Sequence, residues 1–259
     1  MFRSYVITIV RQYANIRMFD TRVIARNVCT NRIDYADTRN LKTDKQGERH
    51  VNIFMNAIGS KDRINTRLRL AGYSMYENVP NKVPYLEWYK FLGLPDNFKS
   101  WFAITELHVW MLLVRCMAEN SAVSISEDEK YSKGDGYFVR NFIIEAMWAD
   151  VGKKIKLLEG ANPVLAREEV SVLSQQFQTS LIAYDEGLED DKILAGAIWR
   201  RFYSTCHDIE ARRIAKIIEF IRHQISELDK IPSDHLKYRP DIKWVRTHET
   251  FLKIKSKKK

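Results

Sequence analysis

The sequence predicts an all-α protein, a single helical-bundle domain of six or seven helices with flexible basic segments at both ends. Three observations lead there. In 259 residues there are only 10 Gly and 6 Pro, too little turn punctuation for a fold of many short strands. Hydrophobic residues make up 45% of the chain and aromatic residues 12%, enough for one sizeable core. From about Lys61 onward, apolar residues recur at three- and four-residue intervals, the period of a helix face.

Taken in order, the chain opens with "MFRSYVITIVRQYANIRMF", which holds Arg3, Arg11 and Arg17 and no acid before Asp20. On a helical wheel the arginines oppose Phe2, Tyr5, Ile9, Tyr13 and Ile16, the pattern of a mitochondrial targeting segment, assigned to residues 1–30. The β-branched run "YVITIV" could also form a short strand. Residues 31–60 are polar and weakly periodic and read as a linker.

A first helix carries Ile64, Leu68, Ala71 and Met75 on one face, and Pro80 and Pro84 then mark a turn. "YLEWYKF" is a short helix capped by Gly93, and "LPDNFKSWFAITELHVWMLLVR" follows as one long helix. The next runs through "YFVRNFIIEAMWADVGKKIKLL", with Phe138, Phe142, Met147 and Ile155 among its apolar positions, and stops around Gly160. Asn162 and Pro163 suit an N-cap and a first helical residue for a helix that ends at Gly187. Asp190 or Asp191 can cap "KILAGAIWRRFY", with Leu194, Ile198 and Trp199 expected to face inward. Asp208 can cap the last helix, with Ile214, Ile217, Ile218, Ile221, Ile225 and Leu228 in one stripe before Pro232. The folded domain is thus placed at 61–231, and 232–259 reads as a basic tail ending in "KIKSKKK".

The charge is unevenly distributed: +7 over residues 1–80, −6 over 81–190, +2 over 191–231 and +6 over 232–259, for a total of +9. Basic ends suit contact with RNA or an anionic lipid surface, and equally suit solvated tails. Three widely spaced cysteines, Cys29, Cys116 and Cys206, suggest neither a disulfide framework nor a zinc knuckle. Glu106 and His108 interrupt the most apolar run, so no membrane span of roughly 20 apolar residues is expected.

Those two residues pose the chemical question. Two helical steps set them about 200° apart, so they cannot share a ligand. On a helix that is apolar on every side, each needs a hydrogen-bonding partner on a different neighbour. For Glu106 that partner should be a basic group, and His108 reads as a core histidine that helps fix helix packing, although haem ligation stays open. No Glu-x-x-His pair, His-Glu-x-x-His zincin motif, phosphate-binding glycine loop or nucleophile elbow is present. The acidic run "YDEGLEDD" lacks the spacing of a magnesium or EF-hand site and reads as one helix end meeting the next helix start. No catalytic residue, metal or cofactor is expected, and the aromatics at helical spacing read first as core. A groove between helices could still take an apolar segment of another chain.

Three stretches, "LPDNFKSWFAITELHVWMLLVR", "EAMWADV" and "AYDEGLEDDKILAGAIWRRFY", in that order, resemble the ubiquinol-cytochrome c chaperone family of mitochondrial assembly factors. The likeness covers residues 62 to 231, with the family's Leu-Pro-Asp, Ser-Trp-Phe, His-Val-Trp and Tyr-Asp-Glu-Gly elements at Leu94–Asp96, Ser100–Phe102, His108–Trp110 and Tyr184–Gly187. The resemblance implies a helical, non-enzymatic chaperone for respiratory complex III. It would bind newly synthesised cytochrome b near the mitochondrial ribosome with a small partner protein, in peripheral contact with the matrix side of the inner membrane. Candidate client- or partner-binding residues are Trp101, Phe102, His108, Trp110, Trp148, Tyr184, Asp185, Glu186, Trp199 and Arg200. Candidate ribosome or lipid contacts are Lys253, Lys255, Lys257, Lys258 and Lys259. A helical RNA- or ribosome-binding translation factor is the alternative, followed by a helical-bundle metal or haem enzyme.

Overall fold

The computed structural model describes residues 60–122, 135–158, 163–204, 210–238 and 240–246. The targeting segment, nearly all of the linker, the caps expected at Asn162 and Asp208, and the terminal lysines lie outside the described residues. Among the described residues there are eight α-helices and no strand. They are α1 (Ser60–Lys82), α2 (Tyr85–Leu92), α3 (Phe98–Ala122), α4 (Asp135–Leu158), α5 (Pro163–Glu186), α6 (Asp191–Tyr203), α7 (Ala211–Asp229) and α8 (Ser233–Tyr238).

Helix α3 is the axis of the bundle. It packs against α1, α2, α4, α5, α6 and α7, and Phe102 through Cys116 are buried without a break. Uniform burial follows from uniform apolarity: a helix without a polar stripe has no face to give to water. By length and composition Phe98–Ala118 could cross a membrane, contrary to the expectation from sequence, but 89% of its most apolar window is enclosed by the other helices. Asn97 caps it, its Oδ1 accepting from the Ser100 N–H at 2.9 Å.

Several helix ends are closed by cations from elsewhere in the fold. The last carbonyls of a helix lack intrahelical partners and carry the negative end of its dipole. At the end of α2, the Leu92 carbonyl accepts from Arg213 Nη1 at 3.2 Å and from the Tyr203 hydroxyl at 3.1 Å. After α5, Arg222 donates to the Gly187 carbonyl at 2.9 Å and the Leu188 carbonyl at 2.7 Å. At the end of α7, buried Arg115 of α3 donates to Leu228 at 3.0 Å and to Ile231 at 2.7 Å. Gly93 ends α2 at φ 70°, as its sequence context predicts. Asp190 caps α6 by accepting from the Lys192 N–H at 2.7 Å.

Four details depart from the sequence reading. Pro80 lies inside the last turn of α1, and the turn falls instead at Val83 and Pro84. Trp199 is 44% exposed, because it sits one helical step of about 100° beyond buried Ile198. Phe138, near the start of α4, is 36% exposed while Met147 and Ile155 are buried. The packed part of the chain also continues past Pro232: α8 is an eighth helix, and Leu236 and Ile242 are core residues.

Helices α1 and α4 pack tightly at Gly72. A Cβ on Gly72 would lie 2.5 Å from the Phe142 Cβ and 2.9 Å from the Val139 carbonyl oxygen. Gly72→Ala should therefore destabilise the protein by about 1–3 kcal/mol of overpacking, even though alanine is the better helix former by about 1 kcal/mol. Urea denaturation of the two proteins, read by circular dichroism, checks the sign.

Candidate functional site

The candidate residues separate into an interior set and a surface set. Phe102, His108, Trp110, Trp148, Tyr184 and Asp185 are buried, so in this state they offer no contact surface, and their placement as binding residues is corrected to the core. They are held there by packing: Phe102 and Trp148 rings lie 6.0 Å apart, Trp148 meets Phe177 edge-on at 5.8 Å, and Trp110 lies 5.1 Å from Tyr184. Trp101 is half-buried, stacked on Phe98 at 5.5 Å beneath the Lys154 ammonium at 4.7 Å. Glu186, Trp199 and Arg200 are exposed.

Glu106 does find a basic partner on another helix. Arg201 of α6 donates through Nε to Oε1 at 2.7 Å and through Nη2 to Oε2 at 3.2 Å, a bidentate pair in which the carboxylate is wholly enclosed. Burial pushes the Glu106 carboxyl up from its ordinary value; the Arg201 charge and hydrogen bonds, with the Ser180 and Tyr184 hydroxyls, oppose that shift. The sequence could not choose among neighbouring cations: Arg200 and Arg201 are adjacent, and only the turn of α6 sends one to the core and the other to solvent.

His108 is partnered differently from expectation. Its Nδ1 lies 2.7 Å from the Ile104 carbonyl one turn back in the same helix, and because a carbonyl only accepts, Nδ1 carries the proton. Nε2 has no hydrogen-bond partner among the described residues. The ring is walled by Trp244 at 4.8 Å, Trp88 at 5.2 Å and Phe220 at 5.8 Å. Burial pushes its pKa down to about 4, so the imidazole is neutral. It pins α3 to aromatic neighbours rather than to a hydrogen bond on another helix. Among the described residues no group of three or more His, Cys, Asp or Glu side chains converges.

Asp185 accepts from the Trp110 indole N–H at 2.8 Å through Oδ1, and burial pushes its pKa up to about 7 against the pull of Trp110 and Arg140. Arg140, also enclosed, reaches Met117 Sδ at 3.6 Å and lies 4.5 Å over the Tyr137 ring. The described interior thus includes the Glu106–Arg201 ion pair and, in His108 and Asp185, two groups whose charged forms burial disfavours. These contacts position helices: Glu106 ties α3 to α6, and Asp185 ties α5 to Trp110 of α3.

The surface set lies on α5 and α6, a helical hairpin closed where Gly187 packs on Leu194: a Cβ on Gly187 would be 2.7 Å from the Leu194 Cα. In a chain that is 29% charged, residues 171–183 contain no Asp, Glu, Lys or Arg. The exposed positions there are Val172, Gln175, Gln176, Thr179 and Ile182, and α6 adds Ile193 and Trp199. A helix face with large apolar side chains and no charge is the surface type that contacts another macromolecule. Sequence reading names Trp199 through its motif and does not name Val172 or Ile182, whose signal is the charge gap.

Two outcomes follow from the interior. Arg201→Met leaves the buried Glu106 without its counter-charge and should cost about 3–5 kcal/mol, while Glu106→Gln combined with Arg201→Met recovers part of it; denaturation of the four proteins of the cycle measures this coupling. The pH dependence is set by two opposed groups. His108, lowered, makes stability fall as pH drops from about 6.5 toward 4, because the unfolded chain takes the proton first; Asp185, raised, makes stability rise as pH drops from about 7 toward 3.8. Asp185→Asn keeps an acceptor for Trp110 and unmasks His108, so between pH 7 and 5 the variant should lose stability more steeply than the wild type, by up to about 1.4 kcal/mol per pH unit. Denaturation midpoints across that window test it.

Comparison with known proteins places these features in a family. Residues 90–239 match the family model described as ubiquinol-cytochrome C chaperone. A Drosophila melanogaster ubiquinol-cytochrome c reductase complex assembly factor 1 is 40% identical, covering 74% of this chain and 70% of that protein. Its Homo sapiens counterpart is 30% identical over 81% and 69% of the two chains. The Saccharomyces cerevisiae protein "CBP3, mitochondrial" is 26% identical over 60% of this chain and 44% of its own length. No solved structure matches. With the family model spanning more than half of the sequence, and with the long motifs of α3, α5 and α6 inside it, the chain belongs to the ubiquinol-cytochrome C chaperone family.

Proposed function

We propose that this protein is a mitochondrial assembly chaperone for respiratory complex III, acting on newly synthesised cytochrome b beside the mitochondrial ribosome. It works with a small partner protein from the matrix side of the inner membrane, which it contacts peripherally. The observation that carries this reading is family membership across residues 90–239, together with relatives whose names state assembly of the ubiquinol-cytochrome c reductase complex. Membership in a chaperone family also argues for a binding protein rather than an enzyme.

An exposed apolar face supports this reading. An unfinished membrane protein exposes apolar segments that aggregate unless covered. The uncharged face of α5 with Ile193 and Trp199 of α6 offers apolar contact, and Arg200 borders it with a cation suited to a phosphate-rich neighbourhood. Client or partner contact is assigned here to Trp199, Arg200 and Glu186, with half-buried Trp101 of α3 as a further position. The lysines Lys253, Lys255, Lys257, Lys258 and Lys259 are assigned to the ribosome or lipid surface.

Depletion of the protein should remove cytochrome b and complex III while other mitochondrially encoded products are still made. Re-expression of Trp199→Asp, a change at an exposed site costing within about 0.5 kcal/mol of stability, should restore less complex III than the wild type at equal protein level. Pulse labelling of mitochondrial translation and native gels read both. A uniform decline of all products would instead identify a general translation factor.

A further inference from the structure

Residues 240–246 follow α8 without regular secondary structure and are held by side-chain amides from two helices. Pro240 and Ile242 are buried while Asp241 and Lys243 are exposed, the two-residue alternation of an extended chain. Two side-chain amides grip the backbone. Asn78 of α1 donates through Nδ2 to the Pro240 carbonyl at 3.0 Å, and its Oδ1 accepts from the Ile242 N–H at 3.3 Å. Gln224 of α7 donates through Nε2 to the Lys243 carbonyl at 3.2 Å, and its Oε1 accepts from the Val245 N–H at 2.7 Å.

Both amides read the same element, a carbonyl and the N–H two residues later. Those pairs flank residues 241 and 244, three apart, and in an extended chain the backbone groups at an odd separation point to opposite edges. The segment is therefore held by α1 along one edge and by α7 along the other. Below it, the Trp244 indole packs on His108 at 4.8 Å and donates to the Asn78 carbonyl at 2.9 Å.

An amide that presents one donor and one acceptor to a peptide backbone takes any residue there; selectivity comes only from the apolar positions that alternate with it. Asn78 and Gln224 are both buried, Gln224 completely. Each amide bonds the segment at backbone atoms, so any extended apolar chain supplies the same bonds.

We propose that the cleft between α1 and α7 is a backbone-reading peptide groove, filled in the resting protein by residues 240–246 of its own chain. In trans it takes an extended segment of another polypeptide with apolar side chains at alternate positions. A tethered occupant competes at an effective concentration on the order of millimolar, so exchange depends on loosening the strap. The proposal does not depend on the assembly reading, since it concerns a different face from α5 and α6.

The test uses the full chain with a protease site placed at Arg239 and cut after folding, and a fluorescent peptide of residues 240–246 as probe. The expected result is that the peptide enters the cut protein, displaces the tail fragment, and binds at least about tenfold more tightly than to the uncut chain. A peptide alternating Ile with Ser should compete, one with Asp in place of Ile242 should not, and Gln224→Ala should weaken binding about tenfold. In the uncut chain, Trp244→Ala should by itself raise peptide affinity, which keeps the idea testable where cutting unfolds the protein. The proposal is overturned by a tail that never exchanges, by peptide affinity unchanged in Trp244→Ala, or by strap-swapped dimers forming in place of the peptide complex.

Discussion

Enclosing one helix on every side is the constraint from which the rest of this bundle follows. Once α3 has no solvent face, each polar group it carries must be satisfied from a different direction. Glu106 draws in Arg201 and so fixes the roll of α6. His108 turns back to its own helix and presents a neutral ring to aromatic neighbours from α2, α7 and the C-terminal strap. Arg115 reaches the far end of α7 and closes its carbonyls. Three polar residues on one helix thereby help set the places of α2, α6 and α7.

The same economy explains why arginine is frequent where helices end. Its guanidinium offers several donors in one plane, so a single side chain can satisfy two carbonyls and oppose a helix dipole at once. Arg115 and Arg222 do this at turns that contain few side-chain caps, and Arg213 with Tyr203 does it at Gly93. These contacts are long-range in sequence. Those of Arg115, Arg213 and Tyr203 tie the second half of the chain to the first and leave little independence between α2, α3 and α7.

How much was legible beforehand depends on the kind of interaction. Periodicity located the long helices, and the local caps at Gly93 and Asp190 were readable because each is a contact within a few residues. Burial of Glu106 with a basic partner was readable as a need, not as an identity, since Arg200 and Arg201 differ only in helical phase. The interior position of Tyr184 and Asp185 was hidden by their place in an acidic run, which looks like a solvated turn until Trp110 is brought to it. The strap was least visible. Asn78 and Gln224 have no special sequence context, and a stretch with one apolar residue in two looks like a tail when one of the helices that receive it, α1, lies far away in the chain.

The apolarity of α3 has a consequence before the fold exists. An unfolded chain that is threaded across a lipid bilayer presents Phe98–Ala118 as a segment that a translocation channel could release sideways into lipid. Glu106 lies in the middle of that stretch, where a charged side chain costs about 3 kcal/mol or more in hydrocarbon. The residue that anchors α6 in the finished protein thus also weighs against lateral release of this segment into lipid.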